Sequence, residues 1–533
     1  MAEEKLLLFN GFIHSMESAP PEATAILIEG ARIKAVGADR ELLPLADAAT
    51  RRINLEGRTV LPGLLDAHTH LGGFGLRAEQ VNLEGAADLE EVRRRVAEGA
   101  RRLPAGTWIL GGGWNRNLWP GGDFPAAADL DPVSPQNPVA LSSKDGHALW
   151  LNSSALAQVA SLLPAAGEDV AGGAILRNER GQPTGIFLEK AMDLVRQIVP
   201  RPGVADYRRA LKRAMELANA RGLTGVHVME GPLTLAAFQD LLAAGEMTLR
   251  VGMYMPADKL VELADLGLRG GWGNNWLWLA GVKTFADGAL GSNSAHLIEP
   301  YEGRPGYRGI AVQTRAELTE LVRRAVAAGF AVALHAIGDQ ANREALDAFA
   351  ASAEESWRLG LRHRIEHAQL LHPDDIGRFA QLGVVASMQP IHCTSDRYMA
   401  DRYWGRRSRY AYAWRSLLDS GARLAFGSDA PVETIDPWEG IYAAITRKRA
   451  TEPASEPWYP EERISLLEAL RAYTLGAAYA GGKDHLLGSL RPGKLADLVV
   501  LEKDIFHLPP EEILEPGLEA TIVGGKVVFG SLW

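Results

Sequence analysis

Eight short apolar runs rich in β-branched residues recur through the middle of this chain, and helical stretches fill several of the gaps between them. The runs cover residues 63–70, 223–229, 248–255, 279–285, 331–335, 363–367, 384–388 and 424–428. Short runs that are apolar throughout read as strands buried on both faces. Their alternation with helices, such as 316–328 and 342–354, implies a parallel sheet with crossovers. Eight such units predict an α/β fold of the (β/α)₈ barrel type. The gap between the first two runs is too long for one crossover. Residues from about 75 to 220 are therefore expected to form an inserted subdomain.

The two ends of the chain read differently, as short strands and turns. Residues 5–9, 25–29 and 32–36, with a Gly30-Ala31 turn, suggest hairpins, and so do 496–501 and 521–528. Neither end has enough strands to bury a core alone. The expectation is one small β-sandwich built from both, with 1–60 and 480–533 flanking a barrel over 61–479.

Hydrophobic residues make up 47% and charged ones 23%, as in soluble globular proteins, and no run is long enough to span a membrane. A net charge of -10 argues against broad phosphate-backbone binding and so against a nucleic-acid partner. The single cysteine, Cys393, excludes an intrachain disulfide and fits a reducing compartment. The opening Met1-Ala2-Glu3-Glu4-Lys5 precedes too brief an apolar stretch for a signal peptide. A cytoplasmic location follows as the expectation.

The first run ends in His68-Thr69-His70. Imidazoles at i and i+2 share one side of a strand, and Asp66 has the same parity. Such a pair at a strand end is half a metal site, or else two polar surface residues. Other C-terminal strand ends carry Lys283, His335, His367 and Asp429. Active sites of this barrel are built at that rim, so groups distant in sequence converge there. Four imidazoles, a carboxylate and a lysine at one rim favour a metal site. By contrast, His363 lies a strand length deeper and reads as a packed histidine. Asp339 reads as a helix N-cap, and Cys393 as a passive loop thiol.

The segments LPGLLDAHTH, SSKDGHALWLN, GLTGVHVM, GVKTFADGALGS, LHAIGDQA, RIEHAQ, SMQPIHC, GSDAPV and GSLRPGKLADLVVL resemble the amidohydrolase superfamily. The likeness is to the YtcJ-like branch of its amidohydrolase 3 group, and it spans nearly the whole chain. It implies two divalent metal ions, with zinc as the expected identity. His68, His70 and Asp429 would bind the inner ion, and His335 and His367 the outer one. Lys283 would bridge them as a CO₂-derived carbamate; the competing reading is an ordinary barrel-end cation. His147 matches a position that faces substrate, and Trp114 and His392 are further candidates for contact with it. Glu189 and Glu230 receive no assigned task.

The implied activity is hydrolysis of an amide-like C–N bond outside peptides, in an N-acyl, N-formyl or cyclic amide. A metal-bridging hydroxide would attack, Asp429 would shuttle the proton, and His147 or His392 would steady the oxyanion. A metal-dependent esterase, lactonase or carbamate hydrolase is the alternative, and a non-catalytic binding or regulatory barrel is a remoter one. The expected partner is a small-molecule substrate, and the superfamily implies a homodimer.

Overall fold

The computed structural model describes residues 4–17, 23–144, 147–165, 168, 170 and 172–532. Three residues of the opening stretch (1–3), and Asp145 and Gly146 beside His147, lie outside the described residues. The chain divides into two compact units, Met1–Phe74 with Leu211–Trp533, and Gly75–Ala210.

Eight parallel strands form the heart of the first unit: Leu64–Thr69, Leu223–Val228, Arg250–Pro256, Leu277–Phe285, Ala331–Ala336, Arg364–His367, Val385–Met388 and Arg423–Phe426. They neighbour one another in chain order. Beyond the eighth strand, a bridge between Thr69 and Ala430 draws the last strand against the first. The Asp429 amide donates to the His68 carbonyl at 2.7 Å, and the His70 amide to that of Ala430 at 2.8 Å. The sheet thereby becomes a (β/α)₈ barrel. Several strands, among them the first, second, sixth and seventh, are buried along their whole length, as strands covered on both faces of a sheet are.

Both ends of the chain build the sandwich. One sheet orders Arg32–Gly37, Ala25–Glu29, Lys5–Phe9 and Thr50–Asn54; the other orders Phe12–Ile13, Thr59–Pro62, Leu498–Leu501, Leu518–Val523 and Lys526–Gly530. Leu6, Leu8, Ile26 and Ile53 from the first share a core with Val60, Leu498, Val500 and Ile522 from the second. Arg250, on the third barrel strand, ties the barrel to this sandwich. Its guanidinium grips Asp497 through Nε and Nη2, the latter at 2.8 Å, with both side chains buried.

The unit Gly75–Ala210 holds a six-stranded sheet with an apolar cluster on each face. Its two ends touch: a Cβ on Gly75 would stand 2.3 Å from the Ala210 carbonyl oxygen. Trp114 belongs to its core, packed with Trp119 and Trp150 and donating from Nε1 to the Leu141 carbonyl at 2.9 Å.

Three local expectations are corrected. The helix anticipated over 342–354 is two helices, Asp339–Ala350 and Ala353–Arg358. The break at Ser352, whose φ of -125° leaves the helical region, lets Ser356 meet His363 Nε2 at 2.9 Å. Asp339 is the first helical residue, not the cap. Gly338 takes the cap position because any Cβ there would lie 2.0 Å from the His296 carbonyl oxygen. Cys393 sits in the helix Pro390–Trp404 instead of a loop, since Pro390 pre-sets helical φ directly after the seventh strand. Burial pushes its thiol up to about 11.

Candidate metal centre

The C-terminal rim of the barrel gathers the expected side chains, through backbone irregularities that simple strand alternation does not contain. On the first strand, Asp66 pairs opposite Val226 and Thr69 opposite Val228, so this strand spends three steps where its neighbour spends two. Such a bulge re-aims side chains. Asp66 consequently departs from the shared face expected of it. Its Oδ1 accepts from the His68 amide at 2.9 Å and the Ser428 amide at 3.0 Å, joining strands one and eight. Gly427 makes room for that junction: a Cβ there would lie 2.5 Å from the His68 nitrogen and 2.6 Å from Asp66 Oδ1.

His68 Nε2 and His70 Nε2 lie 3.4 and 3.3 Å from Asp429 Oδ1. These three residues form a group whose donor atoms all stand within 4.8 Å of one another; His367, His392 and Asp429 form a second. Asp429 belongs to both. It has a φ of 59°, a left-handed conformation for a non-glycine residue, of the kind that clusters at functional sites. His367 has a φ of 72°. Its neighbour in parity, His363, faces outward. There His363 stacks on Phe349 and accepts from the Val332 amide at 3.1 Å. The left-handed turn at the end of the sixth strand is what brings His367 to the rim.

Hydrogen bonds fix which nitrogens remain available. His68 Nδ1 is bonded to Glu366 Oε2, and His367 Nδ1 to Gln389 Oε1 at 2.7 Å. In both rings Nε2 is left for the centre, the arrangement by which outer carboxylates and amides orient metal-binding imidazoles. Glu366 is fully buried and held by the equally buried Arg364 and by Ser387 Oγ at 2.8 Å. Arg364 also reaches His227 Nδ1 at 2.9 Å. Sequence reasoning assigned no role to Glu366, Arg364 or Gln389. The available signal was the charged pair Arg364 and Glu366 alternating in a short strand whose one apolar residue is Ile365.

Lys283 is buried, and its Nζ has no hydrogen-bond partner among the described residues. Burial lowers its ammonium to about 8, against the pull of Glu366 and Asp429. Burial also drives His68, His335 and His367 towards the neutral form, His335 to about 3. Burial opposes ionisation of Asp429, yet His68, His70, His367 and His392 together hold its carboxyl well below the usual range. His70 is raised instead, its burial outweighed by the hydrogen bond and charge of Asp429, so a divalent cation binding there would displace its proton.

Two expected residues sit differently. His335 Nε2 lies 3.0 Å from the Gly288 carbonyl and 3.7 Å from Asp287 Oδ1, and His335 belongs to neither donor group. His392 reaches the centre from the first turn of the helix Pro390–Trp404, with Nε2 3.9 Å from Asp429 Oδ2. Glu230, without an expected task, accepts from the Gly72 and Gly73 amides, each at 2.8 Å, at the start of the helix that follows His70. A cavity of about 370 Å³ opens over the centre, walled by Phe285, Leu290, Ile337, Met399 and Val432, with Glu433 also on its lining.

In the inserted unit, His147 is exposed and pairs through Nδ1 with Glu189 at 3.0 Å. With Trp114, Arg116 and Lys144 they line a separate cavity of about 430 Å³.

Residues 51–529 match the sequence profile of the Amidohydrolase family. The chain belongs to the amidohydrolase family. This amidohydrolase is 39% identical to the protein Long after far-red 3 of Arabidopsis thaliana, over 98% of this chain and 91% of that one. It is 29% identical to the N-substituted formamide deformylase of Arthrobacter pascens, over 98% of each. A crystal structure of a metal-dependent hydrolase from Pyrococcus furiosus superposes with a TM-score of 0.78 at 31% identity, covering 95% of this amidohydrolase and all of that chain.

Proposed function

We propose that this amidohydrolase cleaves an amide-like C–N bond outside peptides, with divalent ions held at the barrel rim and Asp429 as the proton shuttle. The observation that carries the reading is the position of Asp429. It is an ionised, buried carboxylate shared by two histidine groups at the floor of a mostly apolar cavity. Divalent ions bound there, zinc being well matched to imidazole and carboxylate donors, supply Lewis acidity and lower the pKa of water from about 15.7 towards ~7.

The side chains present suit such ions. His68 and His70 direct Nε2 at Asp429, and Glu366 keeps His68 in the tautomer that leaves Nε2 free. The buried amine of Lys283 suits a CO₂-derived carbamate, because lowering it to about 8 leaves a fraction unprotonated, and that form adds CO₂ with release of a proton to give two carboxylate oxygens. Asp429 then accepts the proton released from water and delivers it to the leaving nitrogen. The apolar walls accept the rest of a small-molecule substrate. The deformylase relative acts, by its name, on N-substituted formamides, which supports an N-acyl or N-formyl amine here. A cytoplasmic homodimer belongs to the same proposal, and sedimentation of the purified protein tests the dimer.

The test is Asp429→Asn on a panel of N-formyl, N-acyl, lactam and carbamate substrates, with the matching esters alongside. The variant is expected to retain much of its bound metal, its amide oxygen remaining a donor, while kcat falls by about 100-fold or more. Full activity in the variant removes the shuttle role, and faster turnover of the esters moves the assignment to an esterase.

A further inference from the structure

From the geometry at the rim, we infer that His392 is a metal ligand, supplying the outer ion with a nitrogen from beyond the seventh strand. The inference rests on the metal-dependent reading above and adds a donor to it. His367, His392 and Asp429 form one of the two groups whose donor atoms lie within 4.8 Å of one another, and the other is His68, His70 and Asp429. Zinc donors at about 2.0–2.2 Å in a tetrahedron stand roughly 3.4 Å apart. The inner group already shows that spacing at 3.3 and 3.4 Å. His392 Nε2 is 3.9 Å from Asp429 Oδ2, a small side-chain adjustment away.

The state of that nitrogen supports the assignment. His392 Nε2 is buried and has no hydrogen-bond partner among the described residues. A buried polar atom without a partner is costly unless something binds it. The ring lies parallel to that of His367, with an interplanar angle of 12° and centroids 6.0 Å apart. Each offers a ring nitrogen within 4.8 Å of the other and of an Asp429 oxygen. His335 lines the same cavity, with its ring centroid 4.6 Å from that of His367 and its Nε2 3.0 Å from the Gly288 carbonyl, so His392 is a donor in addition to it. The helix Pro390–Trp404 begins two residues before His392, so the ring projects from a rigid first turn.

The experiment strips the full-length wild type, His392→Ala and His392→Gln of metal, then titrates each with Zn²⁺ against a chromophoric chelator. A parallel titration with Co²⁺ records the visible absorption. The expected result is a wild type taking up two equivalents, with the weaker one loosened by at least about 10-fold in both variants. The cobalt spectrum of that equivalent should change as a nitrogen donor is lost. Matching circular dichroism of the metal-free proteins establishes that the fold is retained. Wild-type affinities and an unchanged cobalt spectrum in both variants overturn the inference, whatever happens to turnover, and leave the hydrolase reading standing. A wild type that binds no metal overturns both.

Discussion

Single residues in this molecule are controlled by burial more than by neighbours in sequence, and His363 shows it without the complication of the metal centre. Its ring is buried against Phe349 and bonded at both nitrogens, and burial lowers its imidazole to about 4. A depressed imidazole pKa means that the neutral ring stabilises the fold fully above the unfolded value near 6.5. That contribution is lost as pH falls towards 4, and amounts to about 3 kcal/mol. Chemical denaturation of the wild type and His363→Asn at pH 8 and at pH 4 checks this. The wild type should lose about that much more stability than the variant on acidification, and parallel losses would refute the account. The same residue marks what sequence could convey. Its parity with His367 was visible, and its packed role was readable from its depth. The opposite orientation of the two rings was not, because a φ of 72° at His367 is set by the end of the strand and leaves no mark in composition. Glu366 was hidden for a related reason: its value lies in meeting His68, a residue brought near only by barrel closure.

At the scale of elements, the seam between strands one and eight decides whether the centre exists. The His68 carbonyl, the Asp66 carboxylate and the Asp429 amide interlock there, with Gly427 pressed against the His68 backbone. Gly427→Ala forces a methyl group to within 2.5 Å of the His68 nitrogen. It should cost about 1–3 kcal/mol as overpacking and lower the metal content of the purified protein, readable by denaturation and elemental analysis. Wild-type values for both would show that the seam relaxes freely. All eight strands were legible, most of them because strands buried on both faces write themselves as apolar runs; the sixth, Arg364–His367, is buried but mostly polar. The bulge at 66–69 was not, since it depends on the register of a strand more than 150 residues away. The seventh crossover was partly misread, with Cys393 assigned to a loop. Pro390 breaks the strand and starts a helix in one step, and a weakly amphipathic sequence following it carries no clear helical period.

Across the whole molecule, barrel and sandwich are joined by charge as well as by apolar packing. The Arg250–Asp497 pair is buried, and Asp497 Oδ1 also receives the Gly524 amide at 2.8 Å. Removing one partner strands the other, so Asp497→Ala should destabilise the protein by about 3–5 kcal/mol, seen as an earlier unfolding midpoint in denaturant. A loss below about 1 kcal/mol would show that water reaches the arginine. The union of the chain ends was readable because neither had strands enough for a core; the ionic clasp was not, because nothing local distinguishes Asp497 from a surface aspartate. The contact between Gly75 and Ala210 has a different consequence. Loop-closure entropy grows only with the logarithm of loop length, and here the excursion pins its own ends together. To the folding barrel, the long passage between them is equivalent to a short hairpin already tied. That makes it an exchangeable cassette: what fills the gap after the first strand can be replaced wholesale over evolutionary time, while the barrel that receives it keeps its stability and its register.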